Sequence, residues 1–219
     1  MKARDEETRA RLLKAAERLF AERGFKKVTV REICRVARAN VAAVNYHFGD
    51  KLGLYREVLQ LAIDAIRASN EAARQASAGR PPEEQLVSSI LIFARRLLDP
   101  HNESVHRLIS REINDPTPAL DAIVEQGIRP RVEFLSRLVA EIVGCGASDE
   151  RVLRSVASIQ AQAGAYLQNA IAGRLGLALK PRTPEQVDAI ARHIAEFSLA
   201  GVRAVAVKRA EADRPRDRQ

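Results

Sequence analysis

The chain has 219 residues, 46% hydrophobic and 29% charged, with a formal net charge of +8. That length supports one or two domains with a proper core, and the composition is that of an ordinary soluble protein. The many Ala, Leu, Arg and Glu, without alternating β-branched runs, point to an all-α fold rather than a sheet. The charge is uneven: residues 1–60 carry 14 Lys and Arg against 8 Asp and Glu, and the remainder 22 against 20. Positive charge gathered in one segment suits nucleic acid as a partner. Cys34 and Cys145 match no metal-ligand spacing and suggest no disulfide, so a reducing cytoplasm is expected. The charged N-terminal stretch has no apolar run of the signal-peptide kind. There is no Walker loop, HExxH or nucleophile elbow, so neither an enzyme nor a cofactor is expected. His101 and His106 are five apart and share no helical face, so no metal site is expected either.

Leu12, Ala16, Leu19 and Phe20 form the apolar stripe of a first helix that stops at Gly24. Thr29 with Glu32 is a capping-box signature for a second helix, whose apolar face is Ile33, Val36 and Ala37. Asn40 caps a third, Val41 to His47, ended by Phe48-Gly49, and Asp50 caps a fourth that runs to about Gln75. Two short helices joined tightly are the helix-turn-helix pattern, which places its second helix in a DNA major groove. Asn45 suits adenine, and Val41, Ala42 and Ala43 suit thymine methyls. Val44, spaced from Asn40 and Phe48, belongs to the small core; Val41 and Asn45 are evenly balanced between groove and core edge. Thr29 can cap its helix and also meet a phosphate, since helix N-termini favour anions.

Tyr46, His47, Phe48, Gly49, Asp50 and Lys51, continued by Leu54 and Tyr55, resemble the signature of the tetracycline-repressor (TetR) family of bacterial transcription regulators. The wording from Ala39 to Tyr55 is similar to the CecR-like subgroup, as is the stretch 111–131. The resemblance implies phosphate contacts from Tyr46, His47 and Lys51. It also implies about nine helices, a palindromic operator, a small-molecule effector, and a homodimer paired through the last two helices. The family's usual turn, Ala-Gly-Val-Ser, is here Ala37-Arg38-Ala39-Asn40. A left-handed Arg38 would strain the turn while placing its charge near a phosphate.

Breakers at 77–82 open a second region, with helices expected near 83–99, 103–114, 118–143, 149–175 and 184–209, and a kink at Pro130. The domains are therefore expected to be 1–50 for DNA binding and 51–209 for effector binding and dimerisation, with 51–76 connecting them and a disordered tail at 210–219. Residues 155–173 form the longest uncharged run, but their amides and hydroxyls argue for a buried protein interface rather than a membrane span. If the resemblance extends to an effector cavity, Arg107, Arg111, Gln160, Gln162, Tyr166 and Asn169 are its candidate polar groups. The run from Ser155 equally suits a close-packed dimer helix. Stripes at Ile159, Ala163, Tyr166 and Ala170, and at Ile190, Ile194, Phe197 and Gly201, are expected to meet a second subunit. Activation on the same scaffold and a helical adaptor without DNA binding are the alternatives. The intact Tyr46-to-Lys51 element speaks against the adaptor.

Overall fold

The computed structural model of the chain describes residues 2–167, 174–176, 180–181 and 183–212. These contain nine α-helices of eight or more residues and no strand. The chain divides into two compact units, residues 1–67 with 101–127 and residues 68–100 with 128–219.

The first unit holds α1 (Lys2–Arg23), α2 (Val30–Ala37), α3 (Val41–Phe48), the start of α4 (Lys51–Ala76), α6 (Glu103–Asn114) and the three-residue α7 (Leu120–Ala122). Leu12, Ala16 and Phe20 from α1 are completely buried, as are Ile33, Val44 and Leu54 from the next three helices. The Tyr55 ring lies 4.9 Å from Phe20 in an edge-on arrangement and 4.8 Å from Phe25, joining α4 to the end of α1. α6 belongs to this unit because its side chains complete α1 and α4. Arg111 Nε donates to the Ala21 carbonyl at 2.7 Å, and its Nη2 donates to that of Glu22, satisfying orphan carbonyls at the α1 C-terminus. Glu112 is 1% exposed yet fully served: Tyr55 Oη donates to Oε2, and Thr117 N and Oγ1 each donate to Oε1 at 2.6 Å. Burial, then the hydrogen bond to Glu112, raises the Tyr55 pKa and keeps the phenol protonated.

The second unit packs α5 (Pro82–Leu98), α8 (Arg129–Val143), α9 (Glu150–Gly164) and α10 (Pro184–Ala212) around one aliphatic core. Leu86 and Ile90 meet Leu135, Leu138 and Val139, with Val152, Val156 and Ile159 from α9 and Ala191, Ile194 and Val202 from α10. The helix ends follow ordinary capping chemistry. Asp149 accepts from Arg151 N at 2.9 Å, and Gly144 closes α8 with φ 77°.

Several expectations shift. Pro130 sits in the first turn of α8, directly after a π-helical turn at Ile123–Ile128, so the helical run from Leu120 to Val143 changes its winding just before the proline. A wide turn there absorbs the hydrogen bond that Pro130 cannot donate. The helix expected over 149–175 ends at Gly164. Helix α10 runs on to Ala212, so residues 210–212 of the expected disordered tail are helical, and 213–219 lie outside the described residues. Ile159, Ala163 and Ile194, expected to face a second subunit, are 3%, 0% and 1% exposed, inside the subunit's own core.

Because Glu112 depends on the phenol for one of its three bonds, Tyr55→Phe is expected to lower stability by about 1–3 kcal/mol while keeping the ring packing. Urea denaturation of the two proteins side by side measures it; an unchanged midpoint contradicts the account.

Candidate nucleic-acid interface

The head is built by caps. Thr29 Oγ1 accepts from Glu32 N at 3.3 Å, and Thr29 N donates to Glu32 Oε2 at 2.9 Å, a complete capping box. Thr29 N and Oγ1 both donate to Glu32 Oε2 at 2.9 Å, and with the Arg23 guanidinium 3.0 Å away they hold the Glu32 pKa down at about 2. Asn40 Oδ1 accepts from Ala42 N at 3.0 Å and starts α3. Asp50 Oδ1 accepts from Gly53 N at 2.7 Å and starts α4.

Between α2 and α3, Arg38 is left-handed with φ 51° and ψ 47°, alone among the non-glycine residues described. Ala39 N then donates to the Cys34 carbonyl at 2.9 Å, closing the turn. With Arg11, Lys14 and Arg18 of α1, the Arg38 side chain borders one shallow, positively charged depression.

Helix α3 presents two faces. Val44 and Phe48 anchor it in the core. Val41, Ala42, Asn45 and Tyr46 are exposed, Val41 at 40% and Tyr46 at 77%, while Ala43 is half-buried. An exposed valine beside an exposed tyrosine and asparagine forms a mixed apolar and hydrogen-bonding surface of the kind that reads base edges. The backbone thus separates Val41 and Asn45 from the core face.

Two residues of the expected phosphate set are otherwise engaged. Lys51 Nζ donates to the carbonyls of Phe25 and Val28, both at 2.9 Å, and lies 4.3 Å over the Phe25 ring. Two of its three N–H groups therefore tie down the α1–α2 loop. The His47 side chain is only 8% exposed, with Nε2 3.3 Å from Asp5 Oδ1 of α1. Thr29 and Tyr46 remain exposed.

The expected effector residues fall in both units. Arg107 is exposed and paired with Glu103 at 2.6 Å, and Arg111 caps α1; both belong to the first unit. Neither guanidinium is left as a buried, unpaired reader of an anion. In the second unit, Gln162 Nε2 donates to Ser198 Oγ at 2.9 Å, and Tyr166 is half-buried against the core. Gln160 Oε1 accepts from Arg131 Nε at 3.2 Å. Asn169 lies outside the described residues. Arg131 was missed by the sequence reading, yet its spacing from Leu135 and Val139 puts it on the buried stripe of α8.

A capped pair of short helices with one face exposed is a helix-turn-helix head. Comparison with known proteins agrees. Residues 12–58 match the family described as bacterial regulatory proteins, tetR family, and residues 82–202 match the C-terminal domain of the HTH-type transcriptional dual regulator CecR. CecR of Shigella flexneri is 33% identical over 162 residues, 70% of this chain and 72% of that protein. The HTH-type transcriptional repressor BepR of Brucella suis is 28% identical over 188 residues, covering 81% and 87%. The chain belongs to the TetR family of transcriptional regulators. The fold matches crystal structures of PfmR from Thermus thermophilus (TM-score 0.62, 20% identity, covering 86% and 94%). It likewise matches a regulator from Streptomyces coelicolor (TM-score 0.63, 23% identity, covering 90% and 97%).

Two substitutions in the head are expected to act in opposite directions. Arg38→Gly relieves the left-handed strain and raises stability by up to about 1 kcal/mol. A Cβ on Gly53 would stand 1.9 Å from the Phe48 carbonyl oxygen, so Gly53→Ala is expected to lower stability by about 1–3 kcal/mol. Thermal melts of both variants test the pair; a destabilised Arg38→Gly or a neutral Gly53→Ala contradicts the geometry.

Proposed function

We propose that this regulator is a cytoplasmic homodimeric repressor that binds a palindromic operator and is released by a small-molecule effector. The observation that carries the DNA part is the exposed face of α3, with Val41 and Tyr46 open while Val44 and Phe48 hold the helix in place. Val41, Ala42, Ala43 and Asn45 read base edges. Thr29, Arg38, Asn40 and Tyr46 meet the backbone, and His47 and Lys51 brace the head, with the third Lys51 N–H left for a phosphate. The name of the Brucella suis relative supports repression. That of the Shigella flexneri relative supports a second reading, activation at some promoters. Transcription from the bound promoter, with and without the protein, separates the two.

Support for the dimer comes from apolar side chains on the last two helices. Leu153 of α9 is 49% exposed, and Phe197 and Val207 of α10 are 64% and 58% exposed. Small exposed residues, Ala157, Ala161 and Gly164 on α9 and Ala200, Gly201 and Ala204 on α10, would allow close helix approach. No helix among the described residues is long and apolar enough to cross a membrane. Release follows if the effector favours a conformer whose two heads are wrongly spaced for the operator.

Half-sites about one helical turn apart are expected in an inverted repeat. Asn45→Ala should change base preference, whereas Tyr46→Ala should weaken all sequences together. Equal affinity for random and palindromic duplexes at every salt concentration defeats the sequence-specific reading.

For assembly, the full chain is expected to scatter light as a dimer at micromolar concentration, and Phe197→Glu to scatter as a folded monomer. A wild-type monomer under those conditions overturns the dimer.

A further inference from the structure

Two charged side chains are buried among the described residues, Glu112 and Arg131, and their surroundings contrast. Glu112 receives three hydrogen bonds. Arg131 is 7% exposed and meets no carboxylate among the described residues: Nε donates to Gln160 Oε1 at 3.2 Å, and Nη2 is buried without a hydrogen-bond partner among them. Its Cζ lies 3.5 Å from the centre of the Phe93 ring. Burial, reinforced by the positive charge of Arg96, lowers the Arg131 pKa to about 9, which still leaves the guanidinium charged near neutral pH.

An uncompensated guanidinium inside a protein is strongly unfavourable unless something of opposite charge completes it. Ring stacking and one amide contact do not neutralise a charge. They do hold its plane, because Phe93 of α5 covers a face and Gln160 of α9 engages one edge of the Arg131 group on α8. What remains is an in-plane donor with nothing to donate to. A carboxylate supplies the charge and the planar acceptor geometry that a guanidinium edge matches.

We propose that Arg131 is the counter-charge for a carboxylate on the effector, with Phe93 and Gln160 fixing its plane, so that the C-terminal unit selects small organic acids over neutral compounds. This rests on the effector-released reading above and names the ligand class. It assigns to Arg131 the anion-reading role that Arg107 and Arg111 give up to Glu103 and the α1 carbonyls.

The test uses the full chain with benzoate, naphthoate and decanoate, their uncharged amides, and inorganic phosphate, read by calorimetry and thermal melting near neutral pH. At least one acid is expected to bind about tenfold or more tightly than its amide. The preference should disappear in Arg131→Met, whose ligand-free melting temperature stays level or rises because a buried unpaired charge has gone. If that variant does not fold, Arg131→Gln carries the same comparison. The proposal is overturned if no acid binds or acids and amides bind equally. It is also overturned if the acid preference survives loss of the guanidinium, or if phosphate alone reproduces the Arg131-dependent stabilisation. Operator affinity measured alongside separates the two readings. An acid that binds through Arg131 without weakening operator binding refutes effector release and leaves the acid site standing. Amides that release the operator independently of Arg131 do the reverse.

Discussion

The backbone carbonyls from Phe20 to Val28 organise the DNA-binding head. Here α1 ends and the chain turns toward α2, so the C=O groups after Phe20 have no helical partner, and each must find a donor or be left open to water. Gly24 N takes Phe20, Arg111 takes Ala21 and Glu22, and Lys51 takes Phe25 and Val28. Donors thus arrive from the turn itself, from α6 and from α4. The same two cations fasten these helices to the end of α1, and the Phe20, Phe25 and Tyr55 rings fill the space beneath. The orientation of α3 follows, because Val44 and Phe48 can seat only in the core that this closure creates.

That demand for donors explains which parts of the molecule were legible in the sequence. Caps are local: Thr29, Glu32, Asn40 and Asp50 act within three residues of themselves, and the structure puts each where its spacing says. The left-handed Arg38 was legible for the same reason, as a missing glycine in a turn that needs one. Long cations are a different matter. Arg111 reaches carbonyls some ninety positions away in sequence, and Lys51 crosses to the α1–α2 loop, so no spacing rule exposes their targets. A sequence reading assigns such charges to ligands and phosphates by default, and the unfilled backbone claims them first.

The second unit shows the converse. Helical periodicity located its stripes, but a buried stripe does not state what buries it. Ile159, Ala163 and Ile194 are consumed by the subunit's own core, while Phe197 of the same expected stripe stays exposed, as do Leu153 and Val207. Polar groups lie inside where hydrocarbon would be expected, with Gln162 on Ser198 and Gln160 on Arg131. Arg131 was hidden because a charged residue on an apolar stripe reads as an edge. Its spacing from Leu135 and Val139 marks the stripe, and the fold shows the side chain enclosed.

Gly53 has a meaning for anyone who would retarget such a head. With the Phe48 carbonyl directly over it, the join between α3 and α4 has no slack. Phe48 is also one of the two anchors of α3, so displacement at Gly53 is transmitted to the exposed face that carries Asn45 and Tyr46. Redesigned specificity is usually sought in the side chains that touch bases. In this protein the tilt of the whole exposed α3 face is set from behind, by the absence of a single carbon atom. A library that varied position 53 together with the α3 face would sample approach angles that substitutions on that face alone leave unexplored.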